Sequence, residues 1–284
     1  MVRPVAQGDL PQILDLLRWM DRDPARRVLV PDARVLEELF WEVEGGWVLA
    51  NGARLEGYAA LYPFWEGGAL EGPLVRGAGG EALVEALVRE AERRGYRVLY
   101  AFPAEANAPT RALLERCGFS ALHTTYFFVT GPRELGFAPP EGVRLEHVRA
   151  VDPEVYRALY RQCEDGWSLR LSWSDAELLA HFAREDVALW IAYRDQHPVG
   201  MVELEVAPQE AEVAYIGVVP EARGSGIGRA LLACAARHAF AQAGVTALRV
   251  RAHDHEKSAI ELYERLGFTL EEAVVTYARE LEAR

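Results

Sequence analysis

The run Val218-Val219-Pro220-Glu221-Ala222-Arg223-Gly224-Ser225-Gly226-Ile227-Gly228-Arg229 decides the fold. An apolar strand end enters a turn with glycine at every second position, and the turn opens an apolar helix. Glycine adopts the backbone conformations of a tight turn without Cβ clashes, so the turn's amides can face inward. The first helical turn adds unpaired N–H groups at the positive end of the helix dipole. Such a cradle suits a diphosphate, and Arg223 and Arg229 add charge. The run lacks the Gly-Lys-Ser/Thr ending of a nucleoside-triphosphate loop and the Gly-x-Gly-x-x-Gly spacing of a dinucleotide fold. It also follows the third strand of its unit rather than the first.

The flanking pattern is that of a mixed α/β (α+β) unit. Val187 to Tyr193 reads as a buried strand and Asp195 to Pro198 as a turn. Val199 to Val206 reads as a second strand, with Met201, Glu203 and Glu205 on one face and Val202, Leu204 and Val206 on the other. Glu212 to Val219 is the third strand. A helix then runs from Gly226 to Ala243 and stops at Gly244. Leu248 to Ala252 is a further strand, and Ser258 to Leu266 a short helix ended by Gly267. Strands linked by crossover helices predict a mixed, partly parallel central sheet flanked by helices.

The same order occurs twice. Val2-Arg3-Pro4-Val5 before Asp9-Leu10-Pro11 matches Val143-Arg144-Leu145-Glu146 before Asp152-Pro153-Glu154 (2 to 143, an offset of 141). Cys117-Gly118-Phe119 matches Leu266-Gly267-Phe268 (118 to 267, an offset of 149). Two copies of a unit of about 140 residues fit both offsets. The proline- and glycine-rich stretch from Thr130 to Gly142 is the join, giving one domain over 1–135 and a second over 143–284.

Arg223-Gly224-Ser225-Gly226-Ile227-Gly228 resembles the Arg/Gln-x-x-Gly-x-Gly/Ala signature of the GCN5-related N-acetyltransferases, the GNAT superfamily. Tyr215 to Pro220 resembles that family's preceding strand. Ala259-Ile260-Glu261-Leu262-Tyr263-Glu264-Arg265-Leu266-Gly267-Phe268 resembles its second landmark, Ala-x-x-Leu-Tyr-x-x-x-Gly-Phe. The resemblance covers roughly 143–284. It implies acetyl-CoA as co-substrate, bound along Ile216, Gly217, Val218, Arg223, Gly224, Ser225, Gly226, Ile227, Gly228 and Arg229. It implies an amine acceptor, either a small molecule or a peptide. Glu212 corresponds to a general base of several family members, and Tyr263 to the acid beside the CoA sulfur. The Val218 amide corresponds to a donor for the thioester oxygen. Glu256 stands where the family often has a cofactor-binding asparagine, which puts that contact in question. Glu203 and Glu205 are alternative bases.

The first copy resembles the same fold in eroded form, and is expected to be a degenerate domain. Its loop is Val75-Arg76-Gly77-Ala78-Gly79-Gly80-Glu81, with Val75 aligned to Arg223, and Leu114 replaces Tyr263. Tandem GNAT units with one working half resemble the architecture of mycothiol synthase, and a similar acetyltransferase activity is one alternative. A CoA-binding sensor or interaction module without turnover is another. Tyr160, Trp167, Trp173 and His181 fall where the family lines its acceptor pocket, although core packing explains them equally well. His253-Asp254-His255 brings three possible ligands together with no visible fourth, so no metal is expected.

Composition bounds these readings. The chain has 284 residues, 50% hydrophobic and 26% charged, enough apolar surface to bury a core. The formal charge of -12 argues against nucleic acid, whose phosphates need a basic surface. No apolar run reaches membrane-spanning length, and Met1 to Leu10 lack the apolar stretch of a secretory signal, so neither a span nor a signal is expected. Cys117, Cys163 and Cys234 lie far apart and cannot all pair, so a reducing cytoplasm is expected.

Overall fold

The computed structural model describes residues 1–29, 46–65, 67–133, 135–163, 169–242 and 244–282. Trp167 lies outside them. Two compact units emerge. The first comprises Met1–Tyr126, His253–His255 and Glu272–Arg284, and the second Phe127–Ala252 and Glu256–Glu271.

The first unit begins with β1 (Val2–Pro4), α1 (Leu10–Asp21), β2 (Trp47–Asn51), β3 (Arg54–Phe64) and β4 (Gly67–Val75). It continues through α2 (Gly80–Arg93), β5 (Val98–Ala101), α3 (Ala108–Arg116) and β6 (Ser120–Thr130), whose end passes to the second unit. β1 to β4 pair antiparallel, and β4 pairs with β5 in parallel at Gly68↔Leu99 and Ala69↔Tyr100. Ile13, Leu16, Leu17 and Met20 recur at helical spacing, and this stripe of α1 packs on Val48, Tyr58 and Leu74. Leu83, Leu87 and Ala91 of α2 cover Leu49, Leu61 and Leu70. Val48 and Leu49 are consecutive yet belong to opposite clusters, as strand alternation requires. Each fully buried leucine contributes roughly 1.5–3 kcal/mol.

The second unit holds β7 (Val143–Val148), α4 (Pro153–Gln162), α5 (Asp175–Phe182), β8 (Val187–Arg194), β9 (His197–Val206) and β10 (Glu210–Val218). Next come α6 (Ile227–Ala241), β11 (Ala247–His253), α7 (Lys257–Arg265) and β12 (Thr269–Glu280), with His253 and the part of β12 from Glu272 on belonging to the first unit. The elements lie within two or three residues of their sequence-based bounds. β7 to β10 pair antiparallel, and β10 pairs with β11 in parallel. Met201, Val202, Glu203 and Leu204 of β9 are all fully buried, so both faces of the strand are covered there. α6 covers one face and α4 packs on the other.

Each unit also contains strand from the other repeat. Tyr277–Glu280 of β12 pairs antiparallel with Ala101–Val98 of β5. The Tyr277 hydroxyl donates to the Glu115 carboxylate at 2.7 Å, and Arg279 donates to Glu85 at 2.8 Å and to the Cys117 carbonyl at 2.5 Å. In the second unit, Phe128 of β6 packs against the Tyr263 ring with centroids 5.8 Å apart. The compact units therefore divide the chain differently from the repeat boundary at 135–143.

Candidate active site

The parallel ladder between β10 and β11 is short. It comprises Glu210↔Ala247, Ala211↔Leu248 and Glu212↔Arg249, whereas β9 follows β10 as far as Val218. The register with β9 shifts between Val213 and Tyr215, which marks a bulge. Past Glu212 the two strands part. Glu212, Ala214, Tyr215, Tyr160, Arg170, Glu205 and Arg251 line a cavity of about 210 Å³ there.

Ile216, Gly217 and Val218 form the end of β10, and a short 3-10 turn, Pro220–Ala222, leads to the glycine loop. Gly224 has φ 72° and Gly226 has φ 91°, a left-handed conformation that disfavours any side chain. Gly226 is the N-cap of α6, and Ile227 and Gly228 open the helix, leaving its first amides unpaired. The Ser225 hydroxyl donates to the Ala222 carbonyl at 2.6 Å and closes the turn. Arg223 donates through Nε to the Val218 carbonyl at 3.0 Å and through Nη2 to the Cys163 carbonyl at 2.6 Å. Cys163 caps the C-terminus of α4, so Arg223 ties the loop to that helix. The Arg229 guanidinium lies 4.3 Å from the Phe137 ring centroid.

Glu212 and Tyr263, the expected base and acid, each approach a different part of Arg251. The Glu212 carboxylate lies 3.8 Å from Arg251 Nε and is half-exposed. Tyr263 is buried on α7, and its hydroxyl donates to the Arg251 carbonyl at 3.5 Å, a long hydrogen bond. Glu203 and Glu205, also considered as bases, differ from each other. Glu205 lines the cavity. Glu203 is fully buried, ion-paired to Arg170, 2.9 Å from His181 Nε2 and accepting from the Tyr156 hydroxyl at 3.2 Å. Burial pushes its carboxyl up, but His181 and Arg170 outweigh that and hold its pKa below the ordinary carboxylate value. Such a carboxylate is a weak base for an incoming amine.

This network was not legible in the sequence. Its one signal was a charge inside an apolar strand, at Glu203. Arg170 was missed altogether, yet it reaches Glu203 and stacks on Trp173 with its guanidinium carbon 4.1 Å from the ring centroid. Tyr160 lines the cavity and stacks on Tyr215 at 4.4 Å, while Trp173 and His181 stand behind it as part of this network. Glu256 is the N-cap residue of α7. His253 and His255 stack at 5.5 Å, and His123 of β6 meets His253 at 4.5 Å. The ligand atoms of His181, Glu203 and Glu205 lie within 4.8 Å of one another, with Arg170 among them.

The first unit repeats the loop with altered chemistry. Gly77 has φ 126°, and Gly79, the N-cap of α2, has φ 93°. Both turns thus end on a left-handed glycine at the helix N-cap. This overturns the alignment of Val75 with Arg223, because Arg76 is the residue that precedes the first such glycine. Arg76 plays the same part, donating to the Asp15 carbonyl of α1 at 2.7 Å and to its carboxylate at 3.1 Å. Glu81 replaces Gly228 in the first helical turn and pairs with Arg116 at 2.6 Å. With the buried Leu99 and Leu248 taken as equivalent, Ala69 stands in place of Glu212. Leu114 stands in place of Tyr263.

The acetyltransferase (GNAT) family model matches this chain twice, over residues 12–119 and 153–268. The chain belongs to the acetyltransferase (GNAT) family. It carries two GNAT units in tandem. A mycothiol acetyltransferase of Saccharomonospora viridis is 30% identical over 220 residues, which cover 70% of this chain and 69% of the relative. A mycothiol acetyltransferase of Streptomyces griseus is 38% identical over 93 residues, which cover 32% of this chain and only 30% of that relative. A solved tandem GNAT protein from the clavulanic acid biosynthesis pathway, without AcCoA, aligns over 99% of this chain and 98% of its own. Its TM-score is 0.65 at 18% identity, so the likeness is one of fold. Among the described residues no helix is long and apolar enough to cross a membrane.

Proposed function

We propose that the second unit transfers an acetyl group from acetyl-CoA to an amine held in the cavity where β10 and β11 part. The diphosphate takes the amides of Gly224 to Gly228 at the start of α6, flanked by Arg229. The acyl arm runs along Ile216, Gly217 and Val218 toward the gap between the strands. An alkyl amine is mostly protonated at neutral pH, so attack needs a base. Glu212 takes the proton, directly or through water. The nitrogen lone pair adds to the thioester carbonyl, whose oxygen the Val218 amide stabilises. The carbon–sulfur bond then breaks, and the Tyr263 hydroxyl returns a proton to the CoA thiolate. The observation that supports this reading is that Glu212 and Arg251 line the cavity where β10 and β11 part, while the Tyr263 hydroxyl bonds to the Arg251 carbonyl.

The first unit takes no part in the chemistry in this reading. Ala69 and Leu114 cannot exchange protons, and Glu81 sets a carboxylate where a diphosphate would lie. The acceptor is a small amine or a peptide amine. The relatives named as mycothiol acetyltransferases favour a related acceptor as the more specific reading. With three free cysteines and a formal charge of -12, we place the protein in a reducing cytoplasm, acting on neither nucleic acid nor membrane.

Calorimetry with acetyl-CoA tests the site. One tight site is expected, abolished by Gly226→Val and kept in Gly79→Val, since a branched residue at positive φ deforms the loop that carries it. Two equal sites, or a site lost only with Gly79→Val, would refute the assignment. A thiol-release assay over an amine panel tests the transfer itself.

A further inference from the structure

Arg170 has no role in the proton transfers, yet it lines the acceptor cavity. Its surroundings are built with unusual investment for a side chain on a short 3-10 turn, Leu169–Ser172. Glu203, fully buried in the middle of β9, is ion-paired to it, and the Glu205 carboxylate lies 3.6 Å away. Trp173 covers the guanidinium at 4.1 Å. The carboxylate that fixes Arg170 is itself fixed by His181 Nε2 at 2.9 Å and by the Tyr156 hydroxyl at 3.2 Å. Taking a carboxylate wholly out of water costs several kcal/mol unless pairing offsets it. A surface arginine needs no such support to stay soluble. At the position of Glu203 the first unit, where the base and acid are also lost, has the apolar Ala60, which pairs with Glu71 as Glu203 pairs with Tyr215.

We propose that Arg170 is a specificity-determining residue that receives an oxygen of the acceptor remote from its amine, and that Glu203 is its positioning residue. The inference rests on the acceptor reading of the cavity given above. A guanidinium held in a fixed plane donates in fixed directions, and so selects hydroxyl, carbonyl or carboxylate oxygens by geometry. Glu212 lines the same cavity, so one acceptor can meet both groups. The acceptor class is therefore a bifunctional amine, with a nitrogen for Glu212 and a hydrogen-bond-accepting oxygen for Arg170.

Three probes of one shape test this: p-(aminomethyl)benzyl alcohol, p-(aminomethyl)benzoate and p-methylbenzylamine. Their binding to the full chain is measured by calorimetry, with thermal unfolding and thiol release followed in parallel. Wild type should bind at least one oxygen-bearing probe about tenfold or more tightly than p-methylbenzylamine, the effect of one hydrogen bond to a charged group. Tight binding of the alcohol alone identifies a neutral oxygen, and of the benzoate alone an anionic one. In Arg170→Met the ratio should fall to about one, with Arg170→Lys intermediate. In Glu203→Gln the ratio should fall while binding of p-methylbenzylamine is kept. A purely structural role would lower the unfolding temperature and weaken all three probes alike. A wild-type ratio near one, or a ratio retained in Arg170→Met, overturns the assignment to Arg170. A ratio retained in Glu203→Gln overturns the positioning role. A ratio that behaves as expected without thiol release would instead refute the transfer reading.

Discussion

Replacing Arg223 separates two roles that a signature arginine can have. One is a charge for the diphosphate, and the other is a clamp on the loop. The structure favours the clamp, because both Arg223 hydrogen bonds end on carbonyls, of Val218 at 3.0 Å and Cys163 at 2.6 Å. Hydrogen bonds from a charged donor contribute about 1.5–3 kcal/mol when well buried, and a partly solvated guanidinium is worth less. At about 1 kcal/mol each, the two anchor the loop by about 2 kcal/mol, which corresponds to roughly 30-fold in acetyl-CoA affinity if the loop must be ordered to bind. Lysine keeps the charge but not the planar fork that spans two carbonyls. Arg223→Lys should therefore weaken binding nearly as much as Arg223→Ala. Calorimetry at low and high salt measures both. The loss should be almost independent of salt, since the missing contacts are to neutral carbonyls. Near-wild-type binding by Arg223→Lys, with a loss in Arg223→Ala that shrinks at high salt, would show that the charge acts on the phosphates and that the clamp is incidental.

Other outcomes follow from the same geometry. Tyr263→Phe should lower kcat by roughly 10- to 1,000-fold with acetyl-CoA affinity kept, since one proton transfer contributes about 10²–10⁴-fold. Glu212→Gln should slow alkyl amines far more than aniline-like amines already neutral at pH 7, and equal slowing would remove Glu212 as the base. In the first unit, burial pushes the Glu71 carboxyl up to about 7, although the Tyr58 hydroxyl at 2.9 Å pulls the other way. A carboxyl whose folded pKa is raised keeps its proton longer than in the unfolded chain. Wild type should therefore lose stability as pH rises from about 4.5 to about 7. Glu71→Gln still accepts from Tyr58. It should remove that dependence, stabilising the protein at pH 8 by something on the order of 3 kcal/mol and not at pH 4, as read by denaturant unfolding. A larger gain at pH 4 would contradict the burial argument.

The sequence was most legible where local rules and tertiary demands agree. The glycine run, the strands around it and the Gly267 stop were readable because turn chemistry and hydrophobic period need no knowledge of distant partners. The strand Val199–Val206 shows the opposite case. Its alternation put Glu203 on one face with Met201 and Glu205 but gave no partner for it, and Glu203 is tolerated only because Arg170, His181 and Tyr156 arrive from three separate segments. None of those pairings is encoded in spacing. The first-unit loop was misaligned by one residue, because consecutive glycines at 79 and 80 hide which one takes the left-handed turn, and only the backbone angle distinguishes them. The catalytic assignments to Glu212 and Tyr263 came from resemblance to a family. Their common neighbour, Arg251, came from the structure.

The pairing of β5 with Tyr277–Glu280 also bears on synthesis. In a ribosome-bound chain, the first unit emerges with one side of β5 still awaiting its strand. Tyr277 follows its partner Ala101 by 176 positions (277 − 101), which at about 5–20 residues per second is a delay of roughly nine to thirty-five seconds. An uncovered sheet edge is a template for pairing with another chain, so nascent copies on one messenger are most exposed to cross-pairing during that interval. The nascent first unit can satisfy β5 only by waiting or by borrowing. Slow translation through the second repeat should lengthen the interval, making yield of this protein sensitive to translation speed in a region that encodes the other unit.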